Sequence, residues 1–251
     1  MKSSVRYVMK DGVYLSHGFV PEEFVAAPAK KQKVNIGNEV VALIKQGRSQ
    51  QEVMEQHPGY YLLHHRNIKQ VIQEYKVQQL RDNLLPWNEL AVSEHVESFT
   101  TIGQWLNDNI KKERAFKQKQ LYIWGDANMG KTTMIIELSK YLSIYYVPHE
   151  DFFDMWEDGA YDLAVMDEFA GNHTVTWMNM WLDGQPMPLR KKGSQCMKLH
   201  NIPTIILSNT CLRDSYHNVN EARMDALCER VTEVHVSEFI DVINEVPPTT
   251  D

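Results

Sequence analysis

The sequence predicts a three-layer α/β domain with a largely parallel sheet, preceded by a small helical module. The main observation is that short β-type runs alternate with helical runs from residue 121 onward. The candidate strands are residues 121–124, 144–147, 162–169, 204–209 and 231–236, and the candidate helices are 131–142, 174–183 and 220–229. Strands that alternate with helices are typical of βαβ units, in which neighbouring strands run parallel.

The chain before the first of these strands has a different pattern. Residues 1–35 indicate two strands joined by a turn at Asp11-Gly12, then a linker rich in proline and lysine, and two strands cannot form a core alone. Apolar residues recur at helical spacing over 36–75, where Ser49 fits a helix N-cap, so we expect three short helices. We therefore divide the chain into residues 1–35, a helical module with its linker over 36–97, and the α/β domain over 98–251, which begins with a helix over 98–114.

The composition excludes several classes of protein. Of 251 residues, 43% are hydrophobic and 24% are charged, and no apolar run approaches the ~20 residues of a membrane span. Cys196, Cys211 and Cys228 are isolated from one another, so neither a disulfide framework nor a zinc site is indicated. The net charge of −7 argues against a protein that coats nucleic acid, although it permits a local basic loop. The first residues also lack a secretory signal, so we expect neither secretion nor a membrane partner.

The clearest chemical signal is a glycine-framed turn after the first candidate strand. It has the pattern G-x-x-x-x-G-K-T from Gly125 to Thr132, with a strand before it and a helix after it. Backbone N–H groups of such a loop surround phosphates, Lys131 reaches the β- and γ-phosphates, and the Thr132 hydroxyl is a ligand for Mg²⁺. The pattern predicts ATP and Mg²⁺ as cofactors, bound by Gly125, Asp126, Ala127, Asn128, Met129, Gly130, Lys131, Thr132 and Thr133.

Two further strands end in polar residues that suit the same chemistry. DLAVMDEF ends in Asp167 and Glu168, and we expect the first to bind Mg²⁺ and the second to orient and deprotonate the attacking water. A glutamate that activates water indicates hydrolysis rather than phosphoryl transfer to a bound acceptor. Asn209 follows the next apolar strand and could contact the water or the γ-phosphate, although asparagine at a strand end is often only a turn residue.

A basic segment lies between these two strands. Residues 190–192 (RKK) precede Gly193, Lys198 follows, and prolines flank the segment, which predicts a β-hairpin with a basic tip. We expect Lys191 and Lys192 to contact the phosphate backbone of single-stranded DNA. The alternative is an ordinary solvated loop.

The order of these motifs resembles the superfamily 3 helicases of small DNA viruses. It is more closely similar to the replication initiator (Rep) proteins of circular single-stranded DNA viruses such as circoviruses. ALCERVTEV resembles the family's segment with the arginine finger, which assigns that role to Arg230. The helical residues 36–75 resemble the Rep oligomerisation region, and YVMK resembles the Y-x-x-K motif of the rolling-circle endonuclease, with Tyr7 and Lys10.

The resemblance implies an AAA+-like P-loop NTPase, an ATP-dependent DNA helicase of viral rolling-circle replication. It implies a hexameric ring on single-stranded DNA, with ATP between subunits and Arg230 completing the neighbour's site. It also implies the host nucleus as location if the host is a eukaryote, and the cytoplasm otherwise. Residues 30–33 (KKQK) fit a nuclear-import pattern but equally a lysine-rich linker.

The nuclease part of the resemblance is incomplete. Only six residues precede Tyr7, and none of the ten histidines forms H-x-H or H-x-Q, although a nucleophilic tyrosine needs a metal. We therefore interpret residues 1–35 as a remnant of the C-terminal part of a nuclease domain and expect no nicking. The alternative function is a truncated or domesticated Rep fragment that oligomerises and binds DNA or full-length Rep without productive activity. A P-loop kinase lacks support, because no lid-like arginine cluster is present.

Overall fold

The protein is described here by a computed structural model, which covers residues 35–90 and 96–240. The chain forms two compact units, divided between Val77 and Gln78. The division lies N-terminal to the domain boundary expected at residue 97, and the functional assignment of the domains stays a prediction. Tyr7, Lys10, the predicted turn at Asp11-Gly12 and the basic residues 30–33 lie outside the described residues.

The described residues form α/β secondary structure in the predicted order. The helices are α1 (Ile36–Lys45), α2 (Gln50–Gln56), α3 (Pro58–Asp82), α4 (Glu97–Asn109), α5 (Lys131–Leu138), α6 (Val175–Leu182) and α7 (Glu221–Cys228). The strands are β1 (Gln120–Trp124), β2 (Ile144–Tyr146), β3 (Leu163–Met166), β4 (Met187–Lys191), β5 (Ser194–Lys198), β6 (Thr204–Ser208) and β7 (Val231–His235). Five strands form a parallel sheet in the order β2-β3-β6-β1-β7, and β4 and β5 form a separate antiparallel hairpin. The predicted parallel α/β class is confirmed.

The N-terminal unit contains α1, α2 and most of α3. Its small core consists of Val40, Ile44, Val53 and Ile68. The predicted N-cap at Ser49 is present as a full capping box, in which Ser49 and Glu52 each bond to the other's backbone N–H. The prediction of a short third helix is wrong, because α3 runs for 25 residues. Proline is tolerated in a first helical turn, and no glycine or proline follows Gly59 before α3 ends.

The parallel sheet has a buried layer on each face. Successive strand residues point to opposite faces, so Leu121 and Ile123 belong to one apolar cluster and Tyr122 to the other. The first cluster packs against α4 and α5, and the second against α6, α7 and the β4–β5 hairpin. This gives the predicted three layers.

Two predicted helices end earlier than expected. The helix over 98–114 stops at Asn109, because Ile110 takes an extended conformation and buries its side chain in the first cluster. The helix over 131–142 stops at Leu138, and turns follow before β2. Among the described residues, no helix is long and apolar enough to cross a membrane.

Candidate nucleotide site and basic hairpin

The G-x-x-x-x-G-K-T segment is a tight loop between β1 and α5. A Cβ atom on Gly125 would lie 2.2 Å from the backbone oxygen of Val236, which excludes any side chain there without a backbone shift. Gly130 has φ of +80°, is the N-cap of α5, and would place a Cβ atom 3.2 Å from the Ile240 nitrogen. The chain that follows β7 therefore leaves no space for a side chain at Gly125 and little at Gly130, where the positive φ also favours glycine.

That following chain, residues 236–240, holds the loop at both ends. Val236 N–H donates to the Trp124 oxygen at 2.8 Å, and Ile240 N–H donates to the Met129 oxygen at 2.9 Å. The side chains of Val236 and Ile240 are buried in the first apolar cluster. The sequence contains no motif for this anchor, and only the apolar residues at 236 and 240 could have indicated it.

Lys131 lies inside the loop with its ammonium surrounded by oxygens. Its Nζ is 2.5 Å from the Gly125 oxygen, 2.8 Å from the Asp126 oxygen and 3.1 Å from Asn209 Oδ1. Burial lowers the pKa of Lys131, while the nearby carboxylates, Glu168 foremost, raise it. The ammonium is thus positioned at the start of α5, where the helix N-terminus also favours an anion.

Thr132 and Asp167 bring two oxygen donors together from different elements. Thr132 Oγ1 lies 3.5 and 3.4 Å from the two Asp167 carboxylate oxygens. Mg²⁺ is usually held by one or two protein oxygens, and the nucleotide phosphates and water complete its octahedron. No group of three or more His, Cys, Asp or Glu side chains that could hold a metal occurs among the described residues. The pair therefore fits Mg²⁺ that arrives with a nucleotide.

Glu168 and Asn209 complete this edge of the sheet. Glu168 has φ of +49°, an uncommon conformation for a residue with a side chain, and its N–H donates to Asp167 Oδ1 at 2.9 Å. Asn209 Nδ2 lies 3.4 Å from Glu168 Oε2, so the Asn209 amide joins Lys131 to Glu168. Because β3 and β6 are adjacent and parallel, their carboxyl ends meet here. The structure thus brings together Lys131, Thr132, Asp167, Glu168 and Asn209.

The β4–β5 hairpin is present as predicted, with Lys192 and Gly193 in its turn. The Lys192 side chain is 77% exposed, and its backbone N–H donates to Asp154 Oδ1 at 2.7 Å. Lys191 differs, because its Nζ donates to the Trp156 oxygen at 2.6 Å and holds the hairpin to the loop before β3. The Lys192 ammonium lies 3.9 Å from Asp154 Oδ2 but stays largely exposed, so Lys192, rather than Lys191, presents the accessible cationic end.

The hairpin tip also includes an aromatic ring that the sequence reading missed. The Arg190 guanidinium and the Lys192 ammonium lie 5.6 and 6.0 Å from the centre of the Phe152 ring, which is partly exposed. The aromatic and acidic run around Phe152 was the available signal. Lys198, grouped with the basic tip from its spacing, is instead fully buried over the Trp181 ring, and burial lowers its pKa to about 8.

Arg230 does not lie near the loop of its own chain. It precedes β7, and its backbone oxygen accepts from Gln120 N–H at the amino end of β1, the edge opposite the loop. Its guanidinium forms an ion pair with Asp183, at 2.7 Å from Nε and 3.1 Å from the second nitrogen, and Asp183 is 2% exposed. Within one chain, therefore, the Arg230 guanidinium is bound to Asp183 and does not contact the nucleotide site of its own chain.

The parallel sheet, with a glycine-framed loop between β1 and α5, has the fold of a P-loop NTPase. No family model matches this chain, and no curated protein is significantly similar to it. Among solved structures, it is similar to a proposed primosome component from Streptococcus pyogenes serotype M3, with a TM-score of 0.38 and 13% identity, over 61% of this chain and 86% of that one. It is also similar to JCV helicase bound to an acetamide compound, with a TM-score of 0.34 and 13% identity, over 55% of this chain and 39% of that one. At these scores, the fold assignment rests on the sheet and the loop alone.

Proposed function

We propose that this chain is an ATP-hydrolysing motor of the DNA helicase class, acting in replication. The observation that carries the proposal is the convergence of Lys131, Thr132, Asp167, Glu168 and Asn209 at one edge of the sheet. These residues come from three separate elements, and each is the residue type that a hydrolytic Mg²⁺–ATP site needs.

The chemistry follows from the positions of these groups. Lys131 neutralises charge on the β- and γ-phosphates, and Thr132 and Asp167 would hold Mg²⁺, which stabilises negative charge on the phosphates. The exposed Glu168 carboxylate accepts a proton from water as the water oxygen bonds to the γ-phosphorus and the bond to the ADP oxygen breaks. Asn209 fixes the Glu168 carboxylate through its amide nitrogen. A glutamate in position to activate water favours hydrolysis over phosphoryl transfer to another acceptor.

The hairpin supports a role on single-stranded nucleic acid. Proteins that bind single strands combine cations, which contact phosphates, with aromatic rings on which bases stack. Lys192, Arg190 and Phe152 provide both at one exposed tip. The overall charge of −7 does not oppose this, because only the tip needs to be basic.

The finer assignment rests on the order of the sequence motifs. We propose that the chain belongs with the superfamily 3 helicases of circovirus-like Rep proteins and acts as a hexameric ring. The ring's other partners would be single-stranded DNA and full-length Rep, and its site of action the nucleus of a eukaryotic host. Arg230 would then act on ATP held by a neighbouring subunit. A second candidate is a fragment that assembles without productive hydrolysis, and the Arg230–Asp183 ion pair favours it, because the guanidinium is already engaged.

The first test is ATP hydrolysis with and without single-stranded DNA. We expect hydrolysis by the native chain that increases with DNA, and its loss in Lys131→Ala, because the phosphates lose their nearest cation. Lys140→Ala is the matched control, since Lys140 is an exposed lysine just after α5 whose ammonium pairs with Glu137. Absence of hydrolysis in the native chain would reject the motor and leave the second candidate.

The second test mixes two inactive chains. Lys131→Ala retains Arg230, and the double variant Asp183→Asn with Arg230→Met retains Lys131 without leaving the Asp183 carboxylate buried and unpaired. If Arg230 acts across subunits, mixed assemblies contain some complete sites and regain activity that neither chain has alone. Activity of the double variant on its own, or no recovery on mixing, contradicts the role of Arg230 across subunits.

A further inference from the structure

Phe239 is a large aromatic side chain beside the nucleotide site that none of the proposed roles uses. It is 57% exposed, although the residue after it, Ile240, is 3% exposed. A single exposed apolar residue is ordinary in itself. The position of this one, between an anchored backbone and the phosphate loop, gives it a specific environment.

The ring lies against the last glycine of the loop. Phe239 Cε2 is 3.1 Å from the point that a Cβ atom of Gly130 would occupy. The hydrogen bond from Ile240 N–H to the Met129 oxygen fixes the backbone of residues 239–240 to the loop, and the bond from Val236 to Trp124 fixes the start of the same segment. The ring is therefore placed beside the N-terminus of α5 by contacts that do not involve the ring itself.

We propose that Phe239 is the stacking platform for the base of the bound nucleotide. The inference rests on the proposed function, since it requires a nucleotide whose phosphates occupy the loop. The base is the apolar, planar end of that nucleotide, and an exposed phenyl ring beside the phosphates offers it a face. Stacking tolerates any base, because every base has a π-face, so Phe239 contributes affinity without selecting adenine over guanine.

Trp124 is a second aromatic residue close to the loop, and the structure disfavours it as the platform. One face of the Trp124 ring is stacked on His235, with the ring centres 4.0 Å apart. The ring also packs against the second apolar cluster and is only partly exposed. Phe239 is therefore the better placed of the two rings to receive a base.

The experiment compares the binding of ATP and of inorganic tripolyphosphate, each with Mg²⁺, by the full chain and by Phe239→Ala. We expect Phe239→Ala to weaken ATP binding by roughly 5- to 150-fold, which corresponds to one stacked base, and to leave tripolyphosphate binding unchanged. Phe239→Tyr should bind ATP as the native chain does, because it keeps the ring. GTP should lose the same factor as ATP.

Phe116→Ala is the matched control, because Phe116 is 63% exposed but precedes β1 at the opposite edge of the sheet. It should change neither affinity. Equal ATP affinity in Phe239→Ala and the native chain would overturn the stacking role and leave the proposed function intact. An equal loss for ATP and tripolyphosphate would also overturn it, since it would show that the ring only supports the loop. If the native chain binds neither ligand, the proposed function itself fails.

Discussion

Each edge of the parallel sheet has a buried lysine, but within the described part of the chain only the lysine at the carboxyl edge has hydrogen-bond acceptors for its ammonium. At the carboxyl edge, Lys131 is buried but has three oxygen acceptors, and Glu168 and Asn209 beside it are exposed. At the amino edge, Lys198 is fully buried, and its ammonium has no hydrogen-bond acceptor among the described residues. The Lys198 ammonium lies 5.2 Å from the centre of the Trp181 ring and is attracted by the Asp158 carboxylate.

The amino edge holds four charged residues, of which Asp183 and Lys198 are buried and Arg114 and Arg230 are partly buried. Arg230 donates a hydrogen bond to Asp183 from one terminal nitrogen, and its Nε contacts Asp183 as an ion pair without hydrogen-bond geometry. Within the part of the chain that the structure describes, Nε and one terminal nitrogen of Arg114 have no hydrogen-bond acceptor. Burial lowers the pKa of Arg114 to about 10. At the carboxyl edge the desolvated charge faces a place where a ligand would lie, so binding can compensate for it. At the amino edge no ligand is expected, so the desolvation of these charges lowers the free energy of unfolding.

The largest expected change in the free energy of unfolding is for a substitution of Arg230, which tests whether the charges at the amino edge are structural. Arg230→Ala leaves the Asp183 carboxylate buried without its ion-pair partner, so we expect the free energy of unfolding to fall by about 3–5 kcal/mol. Arg213→Ala is the control, because Arg213 pairs with Asp225 where both side chains are about half exposed, and it should cost below about 1 kcal/mol. Urea unfolding measures both. Equal small losses would mean that the Arg230 pair is not structural.

The next effect concerns Lys198 and pH. Burial lowers the pKa of Lys198 from 10.5 to about 8, so between these values the unfolded chain binds the proton that the folded chain has released. The destabilisation caused by burying Lys198 should therefore diminish as the pH increases from 8 to 10.5, and it is fully present below pH 8. Lys198→Met should stabilise the protein at pH 7 by up to about 3 kcal/mol and remove this pH dependence.

Lys192→Met is the control for this measurement, because the Lys192 side chain is 77% exposed. It should leave both the stability at pH 7 and its pH dependence unchanged. Unfolding followed at several pH values between 7 and 10 distinguishes the two lysines. If the native chain and Lys198→Met have parallel pH profiles, the Lys198 amine is not held in a desolvated position.

The smallest expected effect is on the salt dependence of DNA binding, and it tests whether the exposed Lys192, unlike the buried Lys198, contacts DNA. Lys192→Ala removes one exposed cation, so the slope of log affinity for single-stranded DNA against log salt should decrease by about 0.7. Lys112→Ala, an exposed lysine paired with Glu89 in the turn region after α4, should leave the slope unchanged. Salt titrations of DNA binding measure both. An unchanged slope in Lys192→Ala would remove the hairpin from the DNA interface.

Sequence reasoning succeeded where the relevant information is local. The strand–loop–helix around Lys131 and the apolar strand before Asp167 are each specified by residues adjacent in the chain. It failed where burial depends on distant packing. Lys192 and Lys198 are both lysines of one basic segment, and the sequence does not show that the first is exposed and the second buried. That difference arises because Lys198 packs over the Trp181 ring. The ion pair of Arg230 with Asp183 likewise joins two residues that no spacing rule relates.

The anchor formed by residues 236–240 changes what counts as the phosphate-binding motif. In the sequence the motif ends at Thr132. In the structure, the hydrogen bonds that hold the loop in place extend to Ile240, because the backbones of Val236 and Ile240 bind the loop. A fragment cut after His235 would retain every motif letter and lose both of these ties. A motif search would find the complete motif in such a fragment, but the loop would lack the two backbone hydrogen bonds from residues 236 and 240.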